Sequence, residues 1–93
     1  MNAPIEKPVI AIVGSAMIDL VCYVDQIPHA GQTLMGNEYF TSFGGKGANQ
    51  AAMASLCGGD IYFIGTLGRD HFGDEIAKNF HDLGIDARFV ERG

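Results

Sequence analysis

Tryptophan is absent from these 93 residues, cysteine occurs only twice and proline three times. Cys22 and Cys57 stand apart with no Cys-x-x-Cys spacing, which excludes a zinc-ribbon ligand set and a disulfide scaffold. Both are read as small buried hydrophobes in a reducing compartment. Basic residues are also scarce: six Lys and Arg face eleven Asp and Glu, a net charge of −5. With no basic stripe, the chain lacks the electrostatic footprint that nucleic acid or an anionic membrane demands. The apolar run Val9 to Ile18 is far too short to span a bilayer. It imitates a signal-peptide core, but Glu6 beside Lys7 spoils the positive flank, and Asp19 follows with no small-residue cleavage pattern. The chain therefore reads as cytoplasmic. His29, His71 and His81 show no metal-ligand spacing.

Glycine, by contrast, is plentiful, with thirteen residues. The densest stretch is Gly44-Gly45-Lys46-Gly47-Ala48-Asn49-Gln50, which runs into the small helix-formers Ala51-Ala52-Met53-Ala54-Ser55. Glycines let backbone N–H groups approach a ligand, because no Cβ intervenes. A helix starting at about Gly47 aims its first N–H groups back at that loop. Lys46 supplies a three-donor cation at its mouth, and Asn49 an amide that both donates and accepts. Such a loop suits a ligand rich in hydroxyl or phosphate oxygens; a tight turn before a helix accounts for the same glycines. The spacing excludes two familiar phosphate sites. A P-loop requires Ser or Thr after Gly-Lys, where Gly47 stands, and a dinucleotide fingerprint counted from Gly45 meets Gln50 at its sixth place.

In chain order, Val9–Gly14 is a short β-branched run that reads as a parallel strand buried on both faces. Asp19 is the first carboxylate past its C-terminal end, where open α/β sheets bind ligands. From about 18 to 43 the polarity changes: Leu20–Val24 reads as a strand, Pro28–Gly31 as a turn, and Leu34–Phe40 as a second strand. An inserted lid and an ordinary surface hairpin both fit this excursion. A helix over 47–57 follows, ended by Gly58-Gly59, then a strand over 61–65, with Gly65-Thr66-Leu67-Gly68 read as the turn out of it. Asp70 is placed to cap a helix over 71–83, whose apolar face is Phe72, Ile76, Phe80 and Leu83. Gly84 ends it, with Ile85 folding back on Phe80, and a further strand begins at about 86. Tyr62, Phe63, Phe72 and Phe80 are assigned to the core. Strand, excursion, helix, strand, helix, strand is the opening of a doubly wound α/β fold, and one that leaves apolar faces bare.

The run Gly-Gly-Lys-Gly-Ala-Asn-Gln-Ala, with Gly58 and Gly68 beyond it, resembles the N-terminal signature of the PfkB family of carbohydrate kinases. Lys46 and the run Gly47-Ala48-Asn49-Gln50 are closest to its ribokinase group. The resemblance implies the N-terminal part of a Rossmann-like, ribokinase-type α/β sandwich, its β lid covering the sugar and building a homodimer contact. It implies an ATP-dependent kinase acting on ribose or a similar pentose at the 5-hydroxyl. Met17, Asp19, Gly45, Lys46, Gly47 and Asn49 would form the substrate-binding set. Bacterial ribokinases commonly carry Asn where Met17 stands, which removes one side-chain contact to the sugar and bears on which pentose is taken. The catalytic Asp of a Gly-Ala-Gly-Asp motif does not occur in this sequence. By the same resemblance, the sites for ATP with Mg2+ and for K+ lie outside the chain, which alone is expected to be inactive. Another PfkB-family sugar or nucleoside kinase, a phosphate- or nucleotide-binding module and a non-catalytic dimerisation piece are the competing readings.

Overall fold

The computed structural model describes residues 6–93. Its elements are β1 (Val9–Val13), β2 (Met17–Tyr23), β3 (Glu38–Gly44), α1 (Lys46–Leu56), β4 (Asp60–Leu67), α2 (His71–Asp82) and β5 (Asp86–Arg92). β1, β4 and β5 form a parallel sheet in that spatial order, while β2 and β3 pair antiparallel as a separate ribbon. The ribbon is not hydrogen-bonded to the sheet but its base packs on the core through Ile18, and the principal extents are 65 × 32 × 19 Å. The Cα radius of gyration is 17.6 Å, against about 12 Å for a compact domain of this length.

Two crossovers that step across the sheet in one direction with the same hand place both helices on one face. The core has that layout: Ile12, Ile61, Phe63 and Leu67 from the sheet meet Ala48 and Ala51 of α1 and Ile76 and Phe80 of α2. Alternation along β4 selects the inward set, Ile61, Phe63 and Leu67. Phe63 and Phe80 stack tilted at 4.8 Å between centroids. Each fully buried Phe contributes roughly 1.5–3 kcal/mol of transfer free energy.

The opposite face is bare. Val9 is 70% and Val13 77% exposed, so β1 is not buried on both faces; Ile12 is its buried residue. The cause is position: β1 is an edge strand and both helices cover the other side. Tyr62 and Phe89 pack on the bare face at 6.2 Å, with the Arg88 guanidinium 5.3 Å over the Tyr62 ring. Phe72 likewise falls outside the core, 40% exposed at the start of α2. Tyr62 is only partly buried. Both cysteines are exposed as well, Cys22 on the ribbon and Cys57 at the end of α1, where no packed surface covers them.

Local chemistry sets the helix ends. The Asp70 carboxylate accepts from the Gly73 N–H at 2.8 Å and caps α2. At its other end Gly84, at φ 74°, donates to the His81 carbonyl and Ile85 donates to Phe80, the paired bonds of a Schellman ending. α1 ends the same way: Gly58 donates to Ser55 and Gly59 to Ala54. The second ribbon strand runs Glu38–Gly44, four residues later than the alternation at Leu34–Phe40 suggests. Pairing decides the shift, since Met17 lies opposite Gly44 and Tyr23 opposite Glu38. The intervening loop is held by the Asn37 N–H on the Tyr23 carbonyl and the Asn37 amide on Asp25.

Candidate functional site

The sequence-predicted residues gather where β1 ends, β2 begins and β3 enters α1. The link Gly14–Ala16 joins β1 to β2 and passes directly under the first turn of α1. Gly45, the residue before α1, has φ 97°, and a Cβ there would stand 2.5 Å from the Ser15 carbonyl oxygen. That backbone is both left-handed and in close contact, so only glycine fits. A Cβ on Gly47 would lie 2.8 Å from the Gly14 Cα and 2.9 Å from the Ser15 nitrogen. The Ala48 N–H donates to the Ser15 carbonyl at 3.0 Å, and the Asn49 N–H to the Gly45 carbonyl at 2.9 Å. One of the free helix-start donors expected from the sequence is thus taken by the chain. The Lys46 and Gly47 N–H groups have no partner among the described residues.

Asp19 enters this junction from β2. Its Cα partner is Ser42, but its carboxylate leans along the ribbon to Gly44, where a Cβ would stand 2.5 Å from Oδ2 and 2.9 Å from Oδ1. The carboxylate therefore rests against the residue that precedes Gly45 and Lys46. Met17 lies two residues before Asp19, so both project from one face of the ribbon, and Met17 is 47% exposed. Asp19, Lys46 and Asn49 are all exposed. Among the described residues, the ion pairs are His71–Glu75, Arg88–Asp86 and Arg92–Asp74; neither Asp19 nor Lys46 is engaged. The structure thus brings Asp19 to the glycine loop, and its carboxylate, the Lys46 ammonium and the Asn49 amide make no ion pair among the described residues. A carboxylate accepts from two neighbouring hydroxyls, an ammonium donates to oxygens and an amide does both.

Gly14, Ser15 and Gly65 belong to the junction, none of them among the expected site residues; the turn expected at Gly65–Gly68 is instead a continuation of β4, which runs to Leu67. A Cβ on Gly65 would stand 2.8 Å from the Gly14 carbonyl oxygen, and the Gly14 N–H donates to the Ile64 carbonyl at 3.3 Å. The only available signal was Gly14-Ser15 at the end of an apolar run. A second cluster lies at the start of α2, where a surface hollow is lined by Arg69, Asp70, His71, Asp74 and Arg92. Its charged groups serve the chain itself: Arg92 pairs with Asp74 and donates to the Gly68 carbonyl, and Arg69 donates to the Arg92 carbonyl. At the other end of β5, the hydrogen bond from Arg88 holds the Asp86 carboxyl below its usual range and raises Arg88 in return. Among the described residues, no three His, Cys, Asp or Glu side chains group as a cation site, and no helix is long and apolar enough to cross a membrane.

Comparison with known proteins gives the junction a context. The chain is 39% identical to a ribokinase of Bacillus subtilis over 82 residues, 88% of this chain and 28% of that protein. It is 37% identical to a deoxyribokinase of Salmonella typhi over 83 residues, 89% of this chain and 27% of that protein. Its fold superposes on an Arabidopsis thaliana ribokinase complexed with ribose and ATP with TM-score 0.82 at 34% identity, covering 95% of this chain and 28% of that one. The chain thus spans little more than a quarter of these relatives, and its α/β architecture is that of the N-terminal part of the ribokinase fold. Residues 7–93 match the pfkB family carbohydrate kinase profile, and the chain belongs to that family.

Proposed function

We propose that this chain carries the sugar-binding segment of a ribokinase-type enzyme, which transfers the γ-phosphoryl group of ATP to the 5-hydroxyl of ribose. The observation that supports it most is the unpaired Asp19 carboxylate seated against Gly44 at the entrance to α1. In this reading Asp19 accepts from two adjacent sugar hydroxyls. Lys46 and Asn49 bind further oxygens, Gly45 and Gly47 supply backbone N–H groups, and Met17 lines the same ribbon face. Analogues lacking a hydroxyl leave these partners unpaired and are rejected. Phosphoryl transfer relies mainly on positioning and electrostatic stabilisation, and this segment's share is to hold the 5-hydroxyl in line. There the bond from the γ-phosphorus to its bridging oxygen breaks as the bond to the sugar oxygen forms. The hydroxyl proton passes to a base that these 93 residues do not supply. Magnesium and potassium accompany ATP in this reading. Among the described residues no three His, Cys, Asp or Glu side chains group together, and no step here runs through either ion.

The reading places the enzyme in the cytoplasm, consistent with two free cysteines. It also has the ribbon close over the sugar and pair with a second copy. Leu20, 58% exposed, and Tyr39, 61% exposed, favour that pairing, and they equally favour a non-catalytic dimerisation role, which a monomer in sedimentation would refute. Calorimetric titration of the chain with ribose, 2-deoxyribose and ATP separates the remaining alternatives. Ribose binding without ATP binding is expected. ATP binding without ribose binding refutes the proposal, and a preference for 2-deoxyribose moves it to the deoxyribokinase-like branch.

A further inference from the structure

Gly65 lies on β4, outside every contact assigned to the sugar, and is not at a turn. Its place along the strand matches Ile61, Phe63 and Leu67, which fill the core beneath the helices. Where their side chains stand, Gly65 has the Gly14 carbonyl oxygen, 2.8 Å from the position of a Cβ, with the edge of the Phe63 ring 2.9 Å from the same point. On its other side Gly14 meets Gly47, with a Cβ on either residue less than 3.0 Å from the other's Cα. The segment Gly14–Ser15 is therefore clasped backbone to backbone between β4 and the first turn of α1. Two hydrogen bonds mark the clasp: Gly14 N–H to the Ile64 carbonyl and Ala48 N–H to the Ser15 carbonyl. Ser15 leads into β2, which carries Asp19, while Gly47 and Ala48 follow Lys46. The thickness of this stack sets the offset between the strand holding the carboxylate and the helix start holding the cation.

We infer that Gly65 is a positioning residue: by admitting Gly14–Ser15 against β4, it sets the first turn of α1 relative to Asp19. The consequence for the sugar rests on the function proposed above; the geometric claim does not. Amide exchange in the 15N-labelled chain tests the latter. Ordinary strand preference makes Gly→Ala mildly stabilising, so with nothing in its way Gly65→Ala would slow exchange. The clasp instead requires exchange at Ala48 and Gly14 to quicken at least tenfold, while the β4–β5 ladder keeps its protection. Unchanged or slower exchange at Ala48 overturns the inference. Gly47→Ala tests the same contact from the helix side if Gly65→Ala does not fold. Helix propensity alone slows opening there about fivefold, the clasp quickens it, and slower exchange is again the overturning result. For the sugar, Gly65→Ala should raise the ribose Kd at least tenfold in the wild-type background and have little further effect beside Asp19→Ala, since the two act through one contact. An equal loss in both backgrounds refutes action through Asp19. Absence of ribose binding by the unmodified chain would refute the sugar reading, while the exchange rates still decide the clasp.

Discussion

Gly44→Ala separates the fold from the site more sharply than removing any charged group. Gly44 ends β3 with an ordinary strand backbone, and its φ is not positive. Alanine should therefore be neutral or stabilising there, by about 0.5–1 kcal/mol on strand preference. The added methyl would stand 2.5 Å from Asp19 Oδ2 and 2.8 Å from its Cγ, however. Carbon and oxygen need roughly 3.4 Å, so the carboxylate must swing aside by about 0.9 Å, which rotation of the short, exposed side chain permits without unfolding. A displacement of that size removes at least one charge-assisted hydrogen bond to a sugar hydroxyl, about 1.5–3 kcal/mol, or roughly 10- to 150-fold in ribose affinity. The two readouts should move in opposite directions. Urea denaturation should show an unchanged or raised midpoint, and ribose titration a weakened complex. Undiminished ribose affinity in a folded Gly44→Ala chain would show that the carboxylate's position against Gly44 is irrelevant to the sugar.

Three further outcomes concern the frame. Asp70→Ala should cost about 1 kcal/mol by removing the cap on Gly73, read as a lower denaturation midpoint, with Asp70→Ser recovering most of it. Phe80→Ala removes the ring stacked on Phe63 and should cost about 3–5 kcal/mol, enough that loss of the cooperative transition is the expected result; a loss under 1 kcal/mol would contradict the assigned core. The Asp86 carboxyl should titrate below the ordinary 3.8 because Arg88 hydrogen-bonds its charged form, and Arg88→Ala should raise that midpoint, as followed by carboxyl 13C shifts. A depressed folded-state pKa contributes stability above the unfolded value and loses it as pH falls through the folded one. The contribution of this exposed pair should therefore fade only in acid, below pH 3.8.

The elements with strong local codes were legible in the sequence. Asp70 before an apolar stripe and Gly84 after it marked both ends of α2, and the Ile61–Ile64 run marked β4. The loop from Gly44 to Asn49 announced itself through three glycines and a cation. Elements set by partners were less legible. β3 begins at Glu38 because the pairing with β2 fixes its register, information that no local alternation at Leu34–Phe40 contains. β1 reads as doubly buried from its β-branched run, whereas exposure depends on which strand has neighbours and on which face the helices land. The cysteines and Phe72 read as buried but are exposed for the same reason, since residue type reports a preference for burial and only packing supplies a place. Gly65 reads as the start of a turn because glycine is a turn former, and nothing local discloses that β4 continues through it or that the Gly14 backbone approaches it.

The central claim is that Asp19, at the entrance to α1, grips the sugar. Its most direct test is a polypeptide in which this chain replaces the corresponding N-terminal quarter of the Bacillus subtilis ribokinase, assayed with and without Asp19→Ala. Loss of two charge-assisted hydrogen bonds, about 3–6 kcal/mol, should lower kcat/KM for ribose by at least a hundredfold while the KM for ATP stays within a few fold. An unchanged KM and kcat for ribose in that variant would contradict the account.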